Sequence, residues 1–150
     1  MSGREYGPTD ADLQWCHEAV QGVSRTFALT VDVLEEPMAS HICLGYLLCR
    51  VADTVEDAGH IPPGTQRSLL ETYRDAVDPD EQTDIAAFRS AVDEWLPAPS
   101  ERTDDWVVVA ESPTIVATFE QFAPEVRSAI VPPVVEMVDG MAMFVDRHAH

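Results

Sequence analysis

From Pro37 to Ala58 the chain holds one glycine, Gly45, and no further proline; Gly59, Pro62 and Pro63 then stop it. A breaker-free stretch of this length buries an apolar side as a helix. Leu44, Leu48, Val51 and Val55 recur at spacings of four, three and four and form one core stripe. Whatever fold the chain adopts is organised around this long helix.

The remaining segments follow the same logic. Thr9 or Asp10 caps a first helix running to about Val20, and Gly22 ends it. A short helix is expected over Arg25–Leu34, with Ser24 as its N-cap. Further helices are expected over Gly64–Ala76, Asp84–Leu96, Thr114–Phe122, Glu125–Ile130 and Pro133–His148. The acidic stretch Asp78–Asp84 and the segment Pro97–Asp104 read as loops, and Asp75 to Asp80 is read as a loop and not as a second aspartate pair on a long helix. Trp106–Ala110 is the one β-branched run, and it is too short to carry a sheet. The reading is all-α, residues 1–150 as a single domain. Trp15, Trp95 and Trp106 are expected to be core or helix-packing residues.

Charge narrows the partners. There are 27 acids against 9 bases, all of them Arg, for a net charge of −18. Such a field repels phosphate backbones and anionic lipid, so nucleic acid and membrane surfaces are not expected partners. A hydrophobic fraction of 45% excludes general disorder. Acidity without Lys suits a protein kept soluble in a salt-rich cytoplasm, where repulsion is screened. Cys16, Cys43 and Cys49 are odd in number and lack CxxC spacing, which fits buried thiols in a reducing compartment. No apolar signal core opens the chain, and the longest apolar run, Ile42–Cys49, is too short to span a bilayer. The expectation is a cytoplasmic chain with no membrane span. Cys16–His17 and His148–Ala149–His150 read as surface pairs, not metal ligands.

Chemistry concentrates on the long helix. Tyr46, Arg50, Asp53 and Asp57, spaced four, three and four, fall within a sector of roughly 60° away from the core stripe. Carboxylates one turn apart can share a hard cation, and Mg²⁺ typically takes one or two carboxylates plus water and phosphate oxygens. Glu56 lies off the centre of the line but within reach of such an ion. Arg50 offers a fork of donors suited to phosphate. Spacing alone also admits a plainer arrangement, a solvated acidic face with Arg50 paired to Asp53 at i+3.

The segment Tyr46-Leu-Leu-Cys-Arg-Val-Ala-Asp-Thr-Val-Glu-Asp57 resembles the first aspartate-rich motif of the squalene and phytoene synthases. Ser24-Arg25-Thr26-Phe27 resembles the family's Ser-Arg-x-Phe segment, which lies in a flap over the diphosphate. Gly140-Met141-Ala142-Met143-Phe144 is similar to its Gly-Met-Ala helix, which lines the prenyl channel. The three stand in the family's order; residues 59–132 resemble it only in helical character.

The resemblance implies a class I prenyl synthase-like helical bundle, incomplete relative to the family. It implies head-to-head condensation of two prenyl diphosphates through a cyclopropyl diphosphate. Asp53, Glu56 and Asp57 would hold Mg²⁺, with Tyr46, Asp53 and Asp57 acting at the reacting centre. Arg25 and Arg50 would contact diphosphate, and also NADPH phosphates in a squalene synthase. Ser24, Phe27, Gly140, Met141 and Phe144 would bind substrate. The Glu within Asp-Thr-Val-Glu-Asp and the Gly-Met-Ala-x-Phe pattern favour squalene from farnesyl diphosphate over phytoene from geranylgeranyl diphosphate. The family's second aspartate-rich motif, on a later helix facing the first, has no counterpart up to His150. Two classes therefore stand. One is a prenyl synthase whose cavity is completed by a missing C-terminal half or by self-association. The other is a non-catalytic half-domain binding Mg²⁺-diphosphate or a helical partner.

Overall fold

A computed structural model of the protein describes residues 10–24, 29, 31 and 33–147. Among them there is no strand. The helices described from end to end are α1 (Asp10–Val23), α2 (Met38–Glu56), α3 (Pro63–Val77), α4 (Ile85–Val92), α5 (Asp104–Ala110), α6 (Ser112–Glu120) and α7 (Pro124–Arg147). Short 3₁₀ turns at Asp93–Trp95 and Pro99–Glu101 link α4 to α5.

α2 is the central rod. Leu44, Leu48, Val51 and Val55 are completely buried, as their spacing requires, and they belong to one hydrophobic cluster fed by every helix. Its first turn is held by Glu36, which accepts from the Ser40 N–H at 2.9 Å and the Ser40 hydroxyl at 2.7 Å. A carboxylate at a helix N-terminus also meets the positive end of the dipole. His17 on α1 reaches the same Ser40 hydroxyl at 3.2 Å. It works as an inter-helix contact.

α3 lies antiparallel to α2. The Tyr73 hydroxyl donates to the Leu48 carbonyl at 2.6 Å near one end, and the Gln66 amide meets the last carbonyls of α2 at the other. Tyr73 is fully buried with its ring 5.0 Å from that of Phe88. Arg74 fastens α3 to α7 through Asp139 at 3.2 Å, and also engages Asp75, Asp78 and Glu81. The acidic stretch is thus partly structured: Asp75 lies within α3, and Asp78 caps its end instead of standing in a free loop.

Several expected boundaries shift. α1 continues through Gly22 to Val23, and the glycine makes room for the Asp104 side chain; a Cβ there would sit 3.0 Å from its carboxyl carbon. Trp106–Ala110 is helical despite its three valines. Thr103 accepts from the Trp106 N–H at 3.4 Å, Asp104 and Asp105 stand in the first turn, and Val108 and Val109 are buried. Capping and tertiary burial outweigh the small intrinsic penalty of Val.

The largest difference is at the C-terminal side. The two expected helices Glu125–Ile130 and Pro133–His148 are one helix, α7, running through Pro132 and Pro133. Each proline removes a backbone donor, but Ser128, Ala129, Pro132 and Pro133 are all exposed, so water can serve the freed carbonyls. Val134, Val138, Ala142 and Val145 keep the inner face of α7 packed on α2 and α3. Joining the two also yields a segment that the apolar-run count passes over. Pro124–Val145 is 22 residues with mean hydropathy 1.5, long and apolar enough to cross a membrane by length and composition. A count of uninterrupted apolar residues passes over it because Glu136 and Asp139 break the run. The expected helix at 25–34 lies mostly outside the described residues.

A candidate diphosphate site at the end of an apolar groove

α7 runs antiparallel to α3, since Arg74 meets Asp139 while Asp78 lies beside Arg127 and Val131. It therefore runs in the same direction as α2. Between the two lies a groove of about 780 Å³. Met38, His41, Ile42, Gly45, Tyr46 and Cys49 form one wall; Val126, Ala129, Ile130, Pro133 and Met137 form much of the other. Gly45 faces the Ile130 side chain, which a Cβ would approach to 3.8 Å, so a small residue here keeps the floor open. Without its glycine, the groove would be shallower.

Beyond the last groove residue of α2 come carboxylates. Asp53 stands one turn beyond Cys49 on the same side of α2, and Asp53, Glu56 and Asp57 bring ligand oxygens within 4.8 Å of one another. Asp53 and Glu56 are half-buried and Asp57 is exposed. Three hard oxygen donors without sulfur or imidazole are the set that suits Mg²⁺. Burial, then Asp57, raises the Asp53 carboxyl above its ordinary range, and Arg50 offsets this only in part. Burial, then Asp57 and Asp53, does the same for Glu56. Mutual repulsion of this kind is relieved by a bound cation.

Arg50 is placed beside the cluster and pairs with Asp53 at i+3, as the spacing allows, but its stronger partner is one the spacing does not show. Nη1 donates to Asp53 at 3.2 Å, but Nε and Nη2 donate to the two oxygens of Asp105 at 3.0 and 2.9 Å. Asp105 lies 55 residues away on α5 and carried no signal beyond its place in an acidic first turn. Arg50, Asp53, Asp57, His60 and Asp105 line a smaller polar hollow of about 260 Å³. His60 closes it, its Nε2 2.9 Å from the Trp95 carbonyl and its ring 5.5 Å from Trp106.

The other anticipated site residues divide. Tyr46 lines the groove and is half-buried. Gly140 and Phe144 are exposed on α7 and Met141 packs partly against the core. The shared direction of α2 and α7 carries these three toward the carboxylate end of the groove. Ser24 follows the end of α1, half-buried. Arg25 and Phe27 lie outside the described residues. The groove residues of α7 upstream of Gly140, among them Ile130 and Pro133, were missed because the prolines hid the continuity of that helix.

Comparison with known proteins agrees with this arrangement. The squalene/phytoene synthase family profile matches residues 20–150. A squalene synthase of Botryococcus braunii is 26% identical over 93% of the chain, and the chain covers 28% of it. The squalene synthase of Eremothecium gossypii is 29% identical over 90% of the chain, with 28% of its own length covered. The human squalene synthase is 27% identical over 92%, with 30% covered. The chain thus spans less than a third of the length of these relatives. The solved structure of TcSQS in complex with a ligand superposes with a TM-score of 0.72 at 23% identity, covering 91% of this chain and 36% of that one. This gives the fold as the all-helical class I terpenoid-synthase type. With the profile match covering most of its length, the chain belongs to the squalene/phytoene synthase family.

Proposed function

We propose that the chain carries the first diphosphate-binding part of a Mg²⁺-dependent head-to-head prenyltransferase, condensing two farnesyl diphosphates to squalene through presqualene diphosphate in a salt-rich cytoplasm. The observation that carries this reading is one side of α2, on which three converging carboxylates begin one turn beyond the last residue of an apolar groove. That shape matches a long apolar chain with an anionic head. Asp53, Glu56 and Asp57 would hold Mg²⁺, which when bound neutralises the charge of a departing diphosphate. Arg50 adds a fixed cation at the same level and is kept there by Asp105. The groove residues hold the polyprenyl chain and keep water from an allylic cation, with Tyr46 nearest the head end among the groove aromatics. NADPH belongs only to the reductive squalene branch. When bound it would supply the hydride that reduces presqualene diphosphate to squalene; Arg50 itself already pairs with two carboxylates.

The second reading is a non-catalytic unit that binds Mg²⁺-diphosphate through the same three carboxylates. The test is incubation of the chain with farnesyl diphosphate, Mg²⁺ and NADPH in high salt, with extracted products identified by mass. Squalene supports the enzyme reading. Phytoene from a parallel incubation with geranylgeranyl diphosphate moves it to the carotenoid branch. A folded chain that binds Mg²⁺-diphosphate without product supports the second reading.

A further inference from the structure

We propose that Gln66 is a positioning residue for the metal-holding carboxylates, an inference that rests on the metal reading above. Gln66 is buried near the start of α3, and its Nε2 lies 3.0 Å from the Val55 carbonyl, 2.9 Å from that of Glu56 and 3.0 Å from that of Ala58. The last turn of a helix leaves its carbonyls without intrahelical donors, and they form the negative end of the helix dipole. On α2 that negative end coincides with three carboxylates. No side chain of α2 itself supplies a cation in its last turn. A buried neutral amide bridging three carbonyls fills that role from the neighbouring helix.

The consequence is geometric. Asp53 lies deep enough in α2 to be fixed by the helix itself, whereas Glu56 is its last residue and Asp57 its cap. The Asp57 N–H donates to the Asp53 carbonyl and the Ala58 N–H to that of Val55. Gln66 holds the same turn from outside, and it holds the Glu56 carbonyl directly. Without it the terminal turn frays, and two of the three carboxylates lose their register with the third.

The test uses the full chain in high salt and Mn²⁺ as the probe, with free Mn²⁺ read by its EPR signal. Gln66→Met keeps the volume and removes the donor. Its Mn²⁺ dissociation constant is expected to rise about tenfold, the usual scale for a residue that orients metal ligands. Tyr73→Phe is the matched control, because it removes a buried hydrogen bond between the same two helices, at Leu48, away from the carboxylates. It should lower the melting temperature and leave Mn²⁺ affinity at the wild-type value. Gln66→Asn retains the amide one methylene short, and it serves where Gln66→Met does not fold; it too should weaken Mn²⁺. Wild-type affinity in the Gln66 variants, or an equal loss in Tyr73→Phe, overturns the positioning role while the metal reading stands. A wild-type chain that binds Mn²⁺ no better than Asp53→Asn overturns both.

Discussion

Arg50 and Asp105 form a two-pronged ion pair across 55 residues, Nε to Oδ1 at 3.0 Å and Nη2 to Oδ2 at 2.9 Å. The pair ties α5 to α2 at the level of the carboxylate cluster. It also turns the remaining edge of the guanidinium toward Asp53. Fork-to-fork geometry is the form of ion pair that fixes direction as well as proximity.

This pair should be measurable as a coupling. Both side chains are only partly exposed, 27% and 36%, so screening is incomplete. A double-mutant cycle with Arg50→Met and Asp105→Asn, read by urea denaturation, is expected to give about 1 kcal/mol of interaction. Strictly additive single effects would mean that the strap does not hold α5 to α2.

The carboxylate cluster should oppose folding when no cation is present. The Glu56 carboxyl is raised by burial first and by Asp57 and Asp53 next, so the folded chain binds its proton more tightly than the unfolded chain does. Stability from this group therefore falls as pH rises from the ordinary carboxylate range through the folded-state value, and the loss is complete above it. Glu56→Gln should melt higher than wild type at neutral pH without divalent cation, and the difference should vanish at about pH 4. Added Mg²⁺ should raise the melting temperature of wild type more than that of Glu56→Gln. A variant that melts lower at neutral pH contradicts the repulsion.

Sequence reading placed α2, its buried stripe and its acidic line, because those depend on local period and breakers alone. It failed where a partner lies far along the chain. Asp105 and Gln66 carry no local signature of the groups they serve; only the folding of α5 and α3 against α2 defines them. Pro132 and Pro133 misled for the opposite reason. Their local signal is strong, yet the inner face of α7 gains more from burial than two lost backbone bonds take away. The valines of α5 belong to the same class, with packing overriding propensity.

The three thiols should separate by position. Burial pushes Cys16 and Cys43 up to about 12, so neither forms appreciable thiolate near neutral pH. Cys49 is raised by burial and by Asp53 but lines the groove, half-buried. Titration of the native chain with a chromogenic disulfide should modify Cys49 slowly and the other two only after denaturation. A bound prenyl diphosphate analogue should slow Cys49 further. Unchanged Cys49 kinetics with saturating analogue would place the ligand elsewhere.

Leu48 and Phe144 offer the clearest separation of core from wall. Leu48 is fully buried, and truncation to Ala should cost about 2–5 kcal/mol, the range for a cavity in a packed core. Phe144 is 53% exposed near the C-terminal end of α7, so Phe144→Ala should change stability by no more than about 0.5 kcal/mol. Phe144 stands two turns beyond the groove residue Met137 on α7 and so on the same side of that helix. Phe144→Ala should therefore weaken binding of a farnesyl diphosphate analogue while its urea midpoint stays at the wild-type value. Calorimetric titration with the analogue and Mg²⁺, run beside the denaturation curve, measures both. Loss of stability with unchanged ligand affinity would make Phe144 a packing residue and remove it from the channel wall.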